Sequence, residues 1–501
     1  MRFVALFLFA ELLLAGAVSG AIGVTREGKP IPALIGDGDL DYNTRKTRVL
    51  VLGGLDGPVR QAFEWFHSSK AAAAYRKRFT VSAIPDAAPG ASYPPKGDAY
   101  GSDPEVHYMW RWIGTHAPDV VLIAGGDTKP DDLASQLPRT AAAGTGTIPA
   151  VRLRAANSAF LRKFLSEWKG GLSPARLEIQ RRLSRTPSEV ARQLSVKYGH
   201  DLNEAVYIPG VALIGRLRLG ALADVESIVA PYFDGRKNSL EKATSSHLSG
   251  HLVFGELAKL TGNPHYISRA RAAADLGFDA QGRPKESMPM HNEMSDSLFM
   301  GCPILAQVGA LTKDTKYFDM CVRHMRFMQK LTLRKDGIYR HSPLDETAWG
   351  RGNGFPALGL ALSLGDFPKD HPGRVEMLAS FQAHMAALLP HQDATGMWRQ
   401  VIDFDGSYRE LTATCMIAFA MSRGIKSGWI EREKYAAAID RAWYGIRARV
   451  AADGALIDVC SGTGKQANLK AYFDRTAILG PDPRGGAMAL LIATELMDPA
   501  R

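Results

Sequence analysis

The chain has 501 residues, 46% hydrophobic and 22% charged, a composition that excludes disorder and implies two domains rather than one small core. Lys and Arg number 61 against 51 Asp and Glu, a net +10 that favours an anionic partner through long-range attraction. The cations are dispersed, with no Lys/Arg tract, zinc-finger spacing or basic heptad, so nucleic acid is not the expected partner.

At the N-terminus, MRFVALFLFAELLLAGAVSGA places Arg2 ahead of an apolar run and supplies the small residues Ala17, Ser19 and Gly20. That order predicts a signal peptide over 1–20 and export to the periplasm or beyond. No later segment reaches the roughly 18 unbroken apolar residues of a membrane span. No stable membrane insertion is expected once the signal is cleaved. Four cysteines, Cys302, Cys321, Cys415 and Cys460, contain no CxxC pair and are too few for a disulfide scaffold. Cys302 and Cys415 lie in apolar helical runs and are expected to be small buried residues.

From 45 to 156, short β-rich runs alternate with helical ones: TRVLVLGG, QAFEWFHSS, FTVSAIPD, EVHYMWRWIG, DVVLIAGGD and TIPAVRL. The alternation predicts a small α/β domain with a largely parallel sheet. Its Pro- and Gly-rich loop PDAAPGASYPPKGDAYGSDP is placed to line a site at the strand ends. This half resembles the zinc carboxypeptidase and deacylase fold. It departs from it at the metal: the chain reads GGLDGP where such enzymes carry a His-x-x-Glu pair, and His67, His107 and His116 have no ligand spacing. A metal-free relative is the expectation, with no cofactor. GGLDGP also lacks the lysine and hydroxyl of a phosphate loop.

Residues 157–202 read as amphipathic helices that bridge the halves, their many arginines expected on the solvent side. Beyond 203, strands become scarce and a repeat emerges. KDGIYRHS, ATGMWRQVID and ADGALIDVCSGTG carry Gly337, Gly396 and Gly454, spaced 59 and then 58 residues apart, each between two helical runs. A helical hairpin copied along the chain cannot bury its apolar face alone, and closing the copies into a ring brings the loops at one end together. The expected architecture for 203–501 is an α/α toroid. Six hairpins of this period need roughly 350 residues, so one must be short or helices before 200 must contribute.

In 345-DETAWGRGNGF-355, one arginine sits in a glycine-rich frame between two aromatics. A guanidinium fork suits a carboxylate, and flanking rings suit a sugar face. With HLVFGELAKLTGNPHYI, SDSLFMGCPILAQVGALTKDTKYFD, GIYRHSPLDETAWGRGNGFPALGLAL, GMWRQVIDFDGSYRELTATCMIAFAMSRGIKSGWI and VCSGTG in this order, residues 205–498 resemble the six-hairpin unsaturated uronyl and unsaturated rhamnogalacturonyl hydrolases, glycoside hydrolase families 88 and 105. The resemblance places the catalytic aspartate on Asp296 and the carboxylate-handling histidine on His341. It places the sugar pocket on Trp349, Arg351 and Phe355, with phenylalanine where tryptophan is usual, and Trp398 extends the pocket or packs. It implies removal of an unsaturated uronic acid from a pectin-type acidic oligosaccharide by hydration of its C4=C5 bond, for which Asp296 has to be protonated on binding and ionised afterwards.

Plainer readings stand beside these. An aspartate before an apolar run is also a favoured helix start, and His341 alone reads as a hydrogen-bonded loop histidine. Tyr408 reads as packing and Glu410 as a helix cap. The family's second acid is missing: the loop reads SLEKATSSHLSG, with Ser245 and Ser246 in its place and Glu241 the nearest acid, and Met294 stands where an aromatic is usual. Two other functions therefore remain open, a non-catalytic acidic-glycan binder and a peptidase or deacylase working through the N-terminal half.

Overall fold

The computed structural model describes residues 18–53, 58–85, 90–124, 129–153 and 157–497. The chain divides into two compact units. One takes the residues up to Lys96 with Asp103–Gln180, and the other takes Gly97–Ser102 with everything from Arg181.

The first unit is a six-stranded mixed sheet. Its strands are β1 (Val18–Val24), β2 (Pro30–Ile35), β3 (Thr47–Leu52), β4 (Phe79–Ile84), β5 (Val120–Ala124) and β6 (Ala150–Leu153), in spatial order β1-β2-β4-β3-β5-β6. β4, β3, β5 and β6 run parallel, as the alternating pattern predicts. The near-continuous burial of β3, β4 and β5 marks strands covered on both faces. The helices are α1 (Pro58–Ser68), α2 (Ala73–Arg76), α3 (Pro104–His116), α4 (Leu133–Gln136), α5 (Ser158–Glu167) and α6 (Pro174–Leu183). Phe63 and Phe66 of α1 and Leu161 and Leu165 of α5 bury one face against Val49, Val51 and Val81.

The hairpin β1–β2 lies outside the range expected for this domain. Ser19 and Gly20, read as the end of a signal peptide, pair with Leu34 and Ala33 in that hairpin; residues 1–17 lie outside the described residues. So do 86–89, part of the loop expected to line a site, and 54–57, within the GGLDGP stretch. The three histidines take local polar contacts. His67 and His107 each reach a backbone carbonyl, of Val81 and Lys96, and His116 Nε2 lies 2.8 Å from Asp39 Oδ2.

Residues 157–202 are divided between the units rather than forming a body of their own, and their arginines are not all solvated. Arg176 is fully buried and bonds the Asp119 carboxylate and the Tyr42 and Lys46 carbonyls. In the second unit Arg182 and Arg185 are buried and donate to the Ala448 and Val450 carbonyls. Orphan carbonyls at strand and helix ends recruit the guanidinium groups, a tertiary demand that helical periodicity does not encode.

The second unit is the expected toroid. Its helices are α7 (Pro187–Lys197), α8 (Tyr207–Arg218), α9 (Leu222–Val229), α10 (Ser245–Gly250), α11 (Leu252–Thr261), α12 (Pro264–Ala274), α13 (Ser297–Thr312), α14 (Lys316–Thr332), α15 (Arg351–Asp366), α16 (Gly373–Leu388), α17 (Leu411–Lys426), α18 (Arg432–Arg449), α19 (Leu469–Phe473) and α20 (Pro483–Met497). A two-stranded ribbon, β7 (Leu456–Cys460) with β8 (Ala477–Gly480), flanks α19. α8 packs against α10 and α11, these against α13, α13 against α15, α15 against α17, α17 against α20, and α20 back against α8. The inner ring is therefore closed. α9, α12, α14, α16 and α18 back it, and the sixth outer place, against α20, is filled by α7. The shortfall in length after 203 is met from before it, and α7 begins with a Thr186/Glu189 capping box.

The repeat has a backbone cause. Gly337, Gly396 and Gly454 all take φ near +84°, at 85°, 83° and 83°, closing the same turn between an outer helix and the next inner one. Gly282, at φ 76°, does the same before α13, a fourth copy hidden by its different flanking residues. Gly359 of α15 shows how tightly the ring packs: a Cβ there would lie 2.6 Å from the Leu298 carbonyl oxygen and 2.7 Å from the Phe299 Cα of α13. All four cysteines are free and buried, and among the described residues no helix is long and apolar enough to cross a membrane.

Two outcomes follow. Alanine is favoured over glycine in a helix by about 1 kcal/mol, but the backbone of α13 has no room to yield and overpacking costs about 1–3 kcal/mol. Gly359→Ala is therefore expected to lower the melting temperature in calorimetry, and a raised one would refute the packing argument. In the first unit, burial opposes the charge of Asp39, yet His116 and Arg48 outweigh it and hold the carboxyl down at about 2, against 3.8 ordinarily. A depressed carboxyl contributes stability that is complete above its unfolded value and fades as pH falls toward its folded one. Acid titration followed by circular dichroism is expected to show loss of structure between about pH 4 and pH 2, with Asp39→Asn lacking that part of the transition.

Candidate active site

The loops that precede the inner helices meet at one mouth of the ring. Gly350 opens α15, and its N–H donates to the Gln400 carbonyl at 2.6 Å. A Cβ at Gly350 would lie 2.3 Å from the Arg399 carbonyl oxygen, and one at Gly352 would crowd Ser295 Oγ, Trp349 and His341. The glycines of GRGNGF thus permit close approach of neighbouring loops. Asn353 staples the loop before them. Its side chain accepts from the Tyr339 N–H at 2.8 Å and donates to the Tyr339 and Trp349 carbonyls. Ser295 joins the next loop, through its N–H to the His341 carbonyl at 2.9 Å and its hydroxyl to the Gly352 carbonyl at 2.6 Å.

Asp296 and His341 are brought together by these ties. Asp296 stands at the N-cap of α13, but its side chain makes no cap bond; the helix-start reading does not account for it. Its Oδ1 faces His341 Nε2 at 3.4 Å, and neither atom has a formed hydrogen bond. The His341 side chain is wholly buried and that of Asp296 is 13% exposed. Upstream, Met290, Asn292 and Glu293 take φ of 62°, 50° and 57°, left-handed backbone that costs a non-glycine residue roughly 1 kcal/mol or more each. Strain of this kind concentrates at functional sites.

The remaining expected residues divide. Trp349 lies under both His341, ring centroids 4.4 Å apart, and the Arg351 guanidinium, 4.6 Å from its ring. Its indole N–H has no partner. Arg351 is 3% exposed, and it donates to the Cys460 carbonyl at 2.6 Å and the Ser461 carbonyl at 2.7 Å. Two of its donors are therefore engaged in holding the VCSGTG loop, a structural duty that the expected carboxylate clamp did not include. Phe355 is not a sugar platform. It is buried in the core, stacked on Phe299 at 5.5 Å and edge-on to Tyr207. Trp398 is likewise a core residue, its indole N–H given to the Leu388 carbonyl at 2.8 Å. The fifth position of α15 and the turn that leads from α16 to α17 both point inward here, a consequence of ring closure.

Glu410 is the cap that its sequence position indicates, accepting from the Ala413 N–H at 2.6 Å. It also accepts from the Cys460 N–H at 2.9 Å. Tyr408 packs, stacked on Tyr100 at 4.8 Å. Ser245 and Ser246 open α10, whose Thr244/His247 capping box uses His247 as the third residue. Sequence reasoning missed Tyr472, whose Oη lies 2.8 Å from His341 Nδ1. It also missed Gln400, whose Nε2 donates to the Tyr472 carbonyl at 2.6 Å, and Tyr207, which opens α8 beside this group. Nothing in LKAYF marks Tyr472; Asn353, repeated in frame within GRGNGF, was open to detection.

A cavity of about 740 Å³ opens at the other end of the ring, among the C-terminal ends of the inner helices. Its charges answer one another: Lys259 with Glu256 and Asp366, and Arg423 and Arg218 with Glu495. The inner helices run parallel, so their dipoles present positive ends at the Asp296 mouth and negative ends here. Lys259, Arg218 and Arg423 at the far end complement those negative ends, each also paired with a carboxylate. Among the described residues no group of three or more His, Cys, Asp or Glu is placed to hold a metal ion.

A toroid of this kind is shared with solved structures. A possible member of the GH105 family from Salmonella enterica serovar Paratyphi A aligns at TM-score 0.53 and 21% identity over 62% of this chain and 93% of its own. The model of Glycosyl Hydrolase Family 88 matches residues 220–499, and the chain belongs to that family. An unsaturated 3S-rhamnoglycuronyl hydrolase of Formosa agariphila is 30% identical over 173 residues, 30% of this chain and 45% of that protein. The unsaturated rhamnogalacturonyl hydrolase YesR of Bacillus subtilis is 26% identical over 243 residues, 44% of this chain and 68% of its own. The chain thus spans about half the length of the first of these relatives.

Lysine cannot reach two carbonyls as a planar fork does. Arg351→Lys is expected to speed hydrogen exchange at 457–466, measured by mass spectrometry, and to cost roughly 2–4 kcal/mol, the worth of one to two charge-assisted bonds. Unchanged exchange would remove the clamp role.

Proposed function

We propose that the protein removes a terminal 4,5-unsaturated uronic acid from an acidic, pectin-type oligosaccharide, and that it does so after export, as its N-terminal apolar run indicates. The observation that carries this reading is the buried meeting of Asp296 Oδ1 and His341 Nε2 beside Trp349, each atom without another partner. Family membership and the positive helix ends at this mouth support it.

The unsaturated sugar is an enol ether. Asp296, protonated, delivers its proton to C4, and the positive charge left at C5 is shared with the ring oxygen. Water adds at C5 as the ionised Asp296 takes a proton from it, which restores the acid. The resulting hemiketal opens and the aglycone leaves. No displacement occurs at the anomeric carbon, so the two-carboxylate arrangement of ordinary glycosidases is not required. Arg351 contributes its charge while holding the Cys460–Ser461 loop. The Trp349 indole N–H is the donor left for the substrate.

Binding without turnover is the second reading, favoured by Ser245 and Ser246 where the second acid is expected. One assay separates the two. With lyase-treated rhamnogalacturonan, the conjugated-alkene absorbance is expected to fall, and Asp296→Asn is expected to slow the fall by about 10³-fold, as loss of a general acid does, while still binding. Ligand binding by the parent protein with no fall in absorbance would establish the binder instead.

A further inference from the structure

In a neutral imidazole only one nitrogen carries a proton, so the partner of one nitrogen decides what the other does. His341 Nδ1 lies 2.8 Å from Tyr472 Oη. That oxygen also accepts the Gln466 N–H at 3.4 Å, which occupies one lone pair and leaves its own hydrogen available to Nδ1. Burial lifts the Tyr472 phenol above its ordinary value, so the hydrogen stays on oxygen throughout the working range. Nδ1 is then an acceptor, and the imidazole proton sits on Nε2, facing Asp296 Oδ1. Neither ring is free to swing. Tyr472 is buried with its carbonyl held by Gln400 and its ring edge-on to His341 at 5.7 Å, and Trp349 packs against His341 at 4.4 Å.

We infer that Tyr472 is a positioning residue: by donating to Nδ1 it fixes His341 as the Nε2–H tautomer, which donates to Asp296 Oδ1 and leaves Oδ2 as the oxygen that delivers and recovers the proton. The inference rests on the hydrolase reading for its consequence but not for the tautomer. In the hydration step the Oδ2–H bond breaks as C4–H forms from the alkene electron pair. Water then bonds to C5 and returns a proton to Oδ2, while Nε2–H remains on Oδ1 throughout. Without the Tyr472 hydroxyl, His341 is free to carry its proton on Nδ1. Nε2 then becomes an acceptor that competes with the alkene for the Asp296 proton.

Tyr472→Phe keeps the ring and its packing and removes only the hydroxyl. Long-range proton–nitrogen spectra of the parent protein, with His341→Gln used to identify the resonance, are expected to show hydrogen on Nε2 and none on Nδ1, and Tyr472→Phe is expected to show a mixture. On lyase-treated rhamnogalacturonan, kcat is expected to fall about tenfold, the worth of one hydrogen bond, with KM and melting temperature little changed. Hydrogen on Nδ1 in the parent overturns the inference whatever the turnover, and so does an unchanged kcat in Tyr472→Phe. The Nε2–H tautomer in a parent protein that binds but does not turn over supports the assignment and removes the hydrolase reading, so the two failures are distinct.

Discussion

The site depends on the way one residue of backbone is gripped. Cys460 gives its N–H to the buried carboxylate of Glu410 and its carbonyl to the buried guanidinium of Arg351. Two opposite charges on neighbouring inner helices therefore pin the ribbon that leads into the third. Each charge is costly to bury alone, and each is satisfied only while the loop stays in place. The arrangement is stable because it is complete, and it fixes the strand from which the 461–476 segment departs.

From that fixed ribbon the chain returns through α19 to place Tyr472 behind His341. Gln400 holds the Tyr472 backbone, and its own carbonyl receives the Gly350 N–H that starts α15. Asn353 and Ser295 then tie the His341 loop to the helix starts on either side. Within this web most polar atoms are satisfied, and the exceptions are Asp296 Oδ1, His341 Nε2, Trp349 Nε1 and Gln400 Oε1. Buried polar groups without partners are scarce in folded proteins, and these mark the mouth as the candidate site. In the far cavity the charges are already paired with one another.

Ring closure gives this mouth its electrostatic character. Parallel inner helices add their dipoles, with positive ends at the mouth where Asp296 stands and negative ends at the other. The net positive charge of the chain acts in the same sense at long range. The missing second acid leaves Asp296 as the acid at the mouth identified by its freedom from capping, whereas Glu410, also at a helix start, is fully engaged.

Sequence alone was enough to determine the two-part organisation, the parallel core of the first unit and the helical repeat of the second. These rest on local periodicity and on glycines whose backbone conformation recurs with each turn. It was also enough to mark Asp296, His341, Trp349 and Arg351, because their motifs stand in one order along the chain. Only the tertiary structure decided what each does. It turned Phe355 and Trp398 into the core, engaged Arg351 with a loop more than a hundred residues away, recruited α7 to the sixth outer place and brought Tyr472 to His341. Those outcomes follow from which faces meet when the ring closes, and no spacing within a single helix records that.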